Sequence, residues 1–254
     1  MFFTRRIVCI SAAAVFFPAT YATEFKVAGE SAQDVFGGTP LANLALAAAG
    51  GRIETVKKLV SEAVNVNSVG KRNMTALVWA LTARNPAGMR ALLEAGADPN
   101  QSVGPEQDFH PVWLAAGQDT PDQLAVLLDF KGDPNAPHKG ADYVPLMRAK
   151  TKLRNVQLLV KAGANINAAN SIGGPVVLSA ANIAQYDIVM FALEHGFNQN
   201  LPLLVWEIND RRPNGRAPLP PELEPKRVRV MEMLRRMGIS PPSGRAPALN
   251  RPAG

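Results

Sequence analysis

Residues 75–100 read TALVWALTARNPAGMRALLEAGADPN, and this stretch decides the fold. Its apolar residues fall at helical spacing in two short runs, ALVWAL and GMRALL. Between the runs, Asn85 is suited to cap the second helix, and Pro86 stands at its first position, where a missing N–H costs nothing. Gly96 is suited to end that helix in the left-handed conformation. The stretch therefore predicts two short helices joined by a tight turn.

Imperfect copies of this stretch recur along the chain. Each copy closes on an asparagine, in the phrases NVN, GADPN, GDPN, GANIN and GFNQN. These asparagines lie 33, 35, 32 and 33 positions apart and are Asn67, Asn100, Asn135, Asn167 and Asn200. The first half of the stretch recurs in phase as HPVWLAA, VPLMRA and VVLSAA. Copies that stay in phase predict a solenoid of stacked repeats.

The copies resemble the ankyrin repeat, which combines a T-P-L-H-x-A motif with a second helix and a closing G-A-D-x-N. Thr75 and Leu77 match the first motif, residues 96–100 match the second, and Ala76 and Val78 replace its Pro and His. The resemblance covers residues 41–240. It implies an all-α repeat fold, an ankyrin-repeat solenoid of about five to six helix-turn-helix repeats with hairpin fingers.

Some positions carry unusual residues for this family. Ala63 stands where the family has Gly, so a strained helix end is expected there. Asn73 replaces a finger Gly, and Asn tolerates the left-handed region better than most residues. Thr120 is expected to cap an outer helix that begins at Pro121, as Asn85 and Pro86 do one repeat earlier.

The first 22 residues, MFFTRRIVCISAAAVFFPATYA, resemble a secretory signal peptide. Arg5 and Arg6 supply the charged start, residues 7–17 supply the apolar run, and cleavage is expected after Ala22. The alternative is a retained membrane anchor, for which the run is short. We therefore expect a periplasmic chain with no stable membrane span, exported by either the general or the twin-arginine route. The only cysteine is Cys9, so no intrachain disulfide can form.

The rest of the chain divides by composition. Residues 23–40 are predicted to form an N-terminal capping segment, and residues 41–240 the repeat domain. The last repeat is interrupted by a Pro-rich insert at about residues 211–226, between predicted helices at 203–208 and 227–237. Residues 241–254 are predicted to be a disordered tail.

Charge is unevenly distributed along the chain, whose formal net charge is +6. Residues 23–210 contain 15 Lys and Arg against 18 Asp and Glu, whereas residues 211–254 contain 10 against 3. A nucleic-acid-binding protein would need a basic stripe across the fold. The slightly acidic repeat body therefore argues against a nucleic-acid partner.

The sequence contains no recognisable catalytic motif, and we expect neither an enzyme nor a metal or other cofactor. His110, His138 and His195 fall in different repeats without metal-ligand spacing. His110 is expected to fix a turn by a hydrogen bond, and His195 to end a helix where its charge suits the dipole. Asp119 and Asp122 lie near a predicted helix start, which the same dipole explains.

The resemblance implies that a protein partner binds on a concave face made by the finger tips and the inner helices. Phe109 and Tyr143 are the preferred anchors, because aromatic residues dominate interfaces, although both could instead pack between fingers. Trp79 is predicted to lie in the core. The predicted partner-binding residues are Arg72, Met74, Arg84, Phe109, Trp113, Gln118, Asp119, Tyr143, Lys150, Lys152, Asn182, Tyr186, Asp210 and Arg211.

The phrases GKRNMTALVWAL, RNPAGMRALLEAGADPN, HPVWLAA and GDPN are also similar to exported bacterial ankyrin proteins that accompany type VI secretion lipase effectors. That resemblance implies an immunity protein, monomeric until bound, that blocks a toxic phospholipase in the periplasm. One alternative is an accessory protein that supports another enzyme, such as a catalase. Others are an enzyme hidden in the insert or tail, and adhesion of the basic tail to anionic lipid.

Overall fold

The computed structural model describes residues 25–106, 108–138, 144–170, 174–209 and 219–240. The predicted signal peptide, the Pro-rich stretch 210–218 and the tail lie outside these residues. The described parts contain thirteen α-helices: α1 (Ala32–Phe36), α2 (Pro40–Ala49), α3 (Ile53–Ser61), α4 (Ala76–Thr82), α5 (Pro86–Glu94), α6 (Pro111–Ala116), α7 (Asp122–Asp129), α8 (Pro145–Arg148), α9 (Leu153–Lys161), α10 (Val176–Asn182), α11 (Tyr186–Glu194), α12 (Leu201–Asn209) and α13 (Glu224–Arg236).

From α2 onward the helices form six consecutive pairs, each with an inner and an outer member. The inner helices α2, α4, α6 and α8 contact one another in order, and so do the outer helices from α3 to α13. One hydrophobic core runs through the stack from Ala32 to Leu234. The predicted all-helical solenoid of stacked repeats is therefore confirmed.

The closing asparagines join each repeat to the next. Asn67 Nδ2 donates to the carbonyl of Gly96 at 2.9 Å, and Asn67 Oδ1 accepts from the amide of Asp98 at 2.8 Å. Asn100, Asn135 and Asn167 make the same two kinds of bond to the repeat that follows each of them. These bonds form a ladder between repeats.

Left-handed residues end most of the outer helices. Ala63 has φ 65°, as predicted for a position where the family has Gly, and Gly96 has φ 92°. In the third repeat the left-handed residue is Lys131, with φ 67°, although Gly132 follows it directly. Gly132 instead takes the place of Ala97: its amide bonds the carbonyl of Leu127, as Ala97 bonds Leu92.

Hairpin fingers precede three of the inner helices. They are closed by isolated bridges that pair Val69 with Thr75, Val103 with Phe109, and Ala169 with Pro175. Asn73 is left-handed at φ 53°, as expected. The predicted fingers are therefore present.

One predicted helix cap and one predicted turn contact are wrong. Helix α7 begins at Asp122, after Pro121, and Thr120 donates to the side chain of Gln123 at 3.0 Å rather than capping a backbone N–H. His110 precedes α6, but its side chain makes no cap hydrogen bond, and its buried Nδ1 atom has no hydrogen-bond partner among the described residues. An imidazole nitrogen lies farther from the backbone than the threonine hydroxyl that caps α4.

The last helix starts earlier than the sequence suggests. Helix α13 begins at Glu224, within the predicted insert, and a short 3-10 turn, Pro221–Leu223, precedes it. Pro225 is tolerated there because the first turn of a helix needs no backbone donor.

The predicted role of His195 is consistent with the structure, since it ends α11 and its Nδ1 lies 2.7 Å from the carbonyl oxygen of Phe191.

Candidate protein-binding face

The inner helices share one side that is turned away from the outer helices. The fourth residue after the N-cap marks this side in four repeats, and these residues are Trp79, Leu114, Arg148 and Ser179. Leu114 and Ser179 are half-buried and Arg148 is exposed. We call this side, together with the residues at the ends of the same helices, the inner-helix face.

The N-terminal segment, residues 25–36, covers this face at the second repeat. Phe25 and Phe36 meet the ring of Trp79 edge-on, with ring centroids 5.5 Å and 5.6 Å away, and Trp79 is fully buried. Glu30 forms ion pairs with Arg72 and, at 3.6 Å, with Lys71. The predicted core position of Trp79 is confirmed, and the predicted binding residue Arg72 is engaged within the chain.

An aromatic cluster lies on the third and fourth repeats. The ring centroid of Phe109 is 5.8 Å from that of Trp113 and 4.8 Å from that of His138, and Trp113 and His138 lie 4.3 Å apart. Phe109 is half-buried, whereas Trp113 is only 8% exposed. Phe109 therefore packs within the cluster and still presents part of its ring. Tyr143, the other predicted anchor, lies outside the described residues.

Several buried polar atoms of this region have no hydrogen-bond partner in the part of the chain that the structure describes. They are Asp108 Oδ1, His110 Nδ1, Trp113 Nε1 and His138 Nδ1. Each unpaired buried group costs about 1–3 kcal/mol, and native structures contain few of them. Their concentration around one finger marks this region as different from the rest of the stack.

Exposed basic side chains lie at the ends of the inner helices α4 and α8. Arg84, Arg148 and Lys150 are exposed, and none of them forms an ion pair within the parts of the chain that the structure describes. Lys152 pairs with Asp119 across two repeats. The hydrogen bond from Lys152, with its positive charge, holds the pKa of Asp119 below its usual value, and the charge of Arg84 adds to this effect.

Buried Asn155 fixes the backbone at the end of α6. Its Nδ2 donates to the carbonyls of Ala116 at 3.0 Å and Gln118 at 2.9 Å. Asn85 Nδ2 likewise donates to the carbonyl of Ala49 at 3.1 Å, and Asn85 Oδ1 caps α5 by accepting from the amide of Gly88. These bonds hold the turn that carries the half-buried residue Gln118 and its exposed neighbour Asp119.

The structure brings together only part of the predicted site. Trp113 lies beside both Phe109 and Arg148, Lys150 follows Arg148 by two residues, and Asp119 pairs with Lys152. Asn182 is exposed on the fifth repeat, where its amide lies 3.4 Å from Glu207, and Met74 is half-buried in the first finger. Asp210 and Arg211 lie outside the described residues.

The prediction for Tyr186 is wrong. Tyr186 is the first residue of the outer helix α11 and is 1% exposed, so it belongs to the core. Sequence reasoning also missed Arg148, which stands at the inner-helix position that Trp79 fills two repeats earlier. A charged residue at a position that is Trp or Leu in the two preceding copies was the available signal.

The described residues provide neither a bilayer-spanning helix nor a metal-binding cluster. Within the described residues, no helix is both long and apolar enough to cross a bilayer. Over the same ranges, no group of three or more His, Cys, Asp or Glu side chains is arranged to hold a metal ion.

Comparison with known proteins supports the repeat assignment. The family model for ankyrin repeats, in three copies, matches residues 20–103. YahD, named as an ankyrin repeat protein of Escherichia coli (strain K12), is 29% identical over 170 residues, which are 63% of this chain and 82% of YahD. The mitochondrial disaggregase of Bos taurus is 32% identical over 133 residues, which are 50% of this chain and 19% of the disaggregase. The chain thus spans most of the first relative and a small part of the second.

Proposed function

Because the chain is an ankyrin-repeat protein, we propose that it works by binding another protein on the open part of its inner-helix face, from Arg84 onward. We further propose that this partner is a toxic phospholipase or lipase effector of a type VI secretion system. In this proposal the chain is an immunity protein that blocks the toxin in the periplasm. Ankyrin repeats generally mediate contacts between proteins.

One observation carries the binding proposal. On the third and fourth repeats, a half-buried aromatic ring, exposed cations and unpaired polar atoms lie together around Arg148 and Phe109. Aromatic and Arg side chains are the residue types that most often dominate binding energy at interfaces. At the second repeat the N-terminal segment already covers the face through Phe25 and Glu30.

The finer proposal of immunity is supported by the sequence. The N-terminal 22 residues have the charge and apolar pattern of an export signal, and the repeat phrases are similar to those of exported ankyrin proteins found with lipase effectors. An inhibitor that covers the mouth of an active site needs binding energy and no chemistry of its own. The repeat stack offers a rigid surface for this purpose.

The test uses the mature chain, residues 23–254, and purified candidate lipase effectors. We expect a one-to-one complex and loss of lipase activity, and we expect Phe109→Ala to weaken both. Lys57→Ala is the matched control, because Lys57 is exposed on an outer helix and pairs locally with Glu54 at 3.0 Å. The control should bind as the unmodified chain does.

A second arm captures partners from periplasmic extract. Recovery of a catalase or another housekeeping enzyme, with no effect on any lipase, would refute immunity and support an accessory role. Failure of the chain to bind any protein in both arms would refute the binding function itself.

A further inference from the structure

The Arg148 side chain packs against Trp113 and Gly117 on the open inner-helix face. Its guanidinium carbon is 4.6 Å from the ring centroid of Trp113, and Trp113 is itself almost completely buried. A Cβ atom added to Gly117 would lie 2.7 Å from Arg148 Nε and 3.0 Å from its Cγ. The Arg148 side chain thus packs against position 117, where an added methyl group would make it move, and its guanidinium lies over the Trp113 ring before a partner arrives.

This orientation suits recognition of a carboxylate. A guanidinium that stacks on an aromatic ring keeps its five N–H groups at its edge, where they remain available to accept a planar, bidentate partner. Arg148 forms no ion pair within the described residues, so its charge is not neutralised there. Preorganisation of this kind raises affinity because less side-chain freedom is lost on binding.

The surrounding charge points to an acidic partner. Lys150 follows two residues later and is exposed, and Arg84 lies near Asp119, whose charge is already balanced by Lys152. Arg84, Arg148 and Lys150 therefore have no ion-pair partner among the described residues, although acidic residues outnumber basic ones in the repeat body. Complementary charge guides association and excludes partners of the wrong sign.

The unpaired polar atoms point to a peptide rather than a simple anion. Trp113 Nε1 can only donate a hydrogen bond, and the carboxyl oxygen Asp108 Oδ1 can accept one. A peptide backbone offers one acceptor and one donor per residue, whereas a phosphate would leave the Asp108 oxygen unpaired. Both atoms are buried in the free chain, so a peptide reaches them only when neighbouring side chains move aside.

We propose that Arg148 binds an acidic side chain within an extended peptide segment of the protein partner, on the face between Arg84 and Lys150. Trp113 and Gly117 position the guanidinium for this contact. The inference deepens the proposed function and rests on it for the existence of a protein partner.

The test measures binding of a fluorescein-labelled oligo-glutamate peptide to the mature chain by fluorescence anisotropy, with an oligo-lysine peptide for comparison. All proteins carry Arg245→Gln and Arg251→Gln, so that the basic tail contributes less. We expect the oligo-glutamate peptide to bind and the oligo-lysine peptide not to bind. Affinity should fall as salt is raised, because exposed charges are screened.

The variants distinguish specific binding at Arg148 from nonspecific attraction of the acidic peptide to basic residues. Arg148→Ala should weaken binding about tenfold or more, and Arg148→Lys should lose most of the same affinity because an ammonium cannot bind bidentately. Gly117→Ala should also weaken binding, because the new methyl group displaces the guanidinium. Arg154→Ala is the matched control: Arg154 is exposed on the outer helix of the same repeat, and its removal should leave affinity unchanged. Melting temperatures verify that each variant is folded.

Several outcomes would overturn the inference. These are no binding of oligo-glutamate, equal losses in Arg148→Ala and Arg154→Ala, or unchanged affinity in Gly117→Ala and Arg148→Lys. A captured partner protein that binds Arg148→Ala as well as the unmodified chain would overturn it while the proposed function stands. Peptide binding that depends on Arg148, without capture of any protein, would count against the proposed function alone.

Discussion

A change that restores the family pattern in the third repeat should destabilise the protein. The double substitution Lys131→Gly with Gly132→Ala turns the local sequence KGDPN into GADPN, as in the second repeat. Consensus changes of this kind are a common route to stabilisation. Here the two halves of the change should act in opposite directions, because each meets a different physical environment.

Lys131→Gly, the first half of the double substitution, should increase the free energy of unfolding. Lys131 has φ 67°, and a left-handed conformation costs a residue with a side chain about 1–2 kcal/mol. Gly removes that cost but adds about 0.5–1 kcal/mol of conformational entropy lost on folding. Lys131→Gly alone should therefore stabilise the fold by about 0.5–1 kcal/mol.

Gly132→Ala, the second half, should decrease the free energy of unfolding by more than Lys131→Gly increases it. A Cβ at residue 132 would lie 2.6 Å from Cγ2 of Val112 and 2.9 Å from the carbonyl oxygen of Leu127. The backbone oxygen ends the hydrogen-bonded turn of α7 and cannot move without breaking it, so overpacking should cost about 1–3 kcal/mol. The double variant should thus be less stable than Lys131→Gly and less stable than the unmodified chain.

Urea unfolding of the four proteins, followed by circular dichroism and by tryptophan fluorescence, measures these differences. Coincident transitions by the two probes would justify a two-state free energy. The reasoning would be refuted if Gly132→Ala raised the midpoint, or if the double variant were more stable than Lys131→Gly. The first result would mean that Val112 yields to the new methyl group at little cost.

Three further predictions test other features. Gly96→Ala should cost about 1 kcal/mol through backbone strain alone, since φ is 92° and nothing lies within 4 Å of the added carbon; urea midpoints would measure it, and no change would refute the strain argument. Phe25→Ala should cost about 1–3 kcal/mol and shift tryptophan emission to the red by uncovering the indole it packs against; an unchanged spectrum would mean that the N-terminal segment does not stay on the face. The folded-state pKa of Asp119 is lowered, so its stabilising contribution is present above its unfolded pKa and is lost as pH falls through the folded value. Lys152→Met should therefore lower the melting temperature near pH 6, and the difference should shrink and disappear as the pH falls through the folded-state pKa of Asp119; a difference that stays constant during acidification would contradict the assignment.

The sequence was sufficient to predict the fold because the determining signals are local. Asn85, Pro86 and the closing asparagines each act within a turn or on the adjacent repeat, so their spacing carries the architecture. Ala63 and Asn73 were recognisable as left-handed positions by comparison with the copies around them. Signals of this kind need no knowledge of distant contacts.

The candidate site was predicted less well because it depends on contacts between distant parts of the chain. Nothing local indicates that Phe25 covers Trp79, or that Gly117 makes room for Arg148. Tyr186 follows the turn after the inner helix α10. In a helical segment, neighbouring residues point in different directions, so an error of one or two positions moves a side chain from the exposed side to the core. Spacing alone therefore could not separate a core tyrosine from an exposed one.

The asparagine ladder gives the stack a direction. Each of the bonds from Asn67, Asn100, Asn135 and Asn167 reaches toward the C-terminus, to a carbonyl and an amide of the following repeat. A stack cut within the ladder exposes an asparagine side chain to water at its new C-terminal end, whereas a stack that starts at an internal repeat exposes a carbonyl and an amide at its N-terminal end. The two ends of a truncated stack therefore present different groups to solvent, because each ladder bond couples a repeat to its successor.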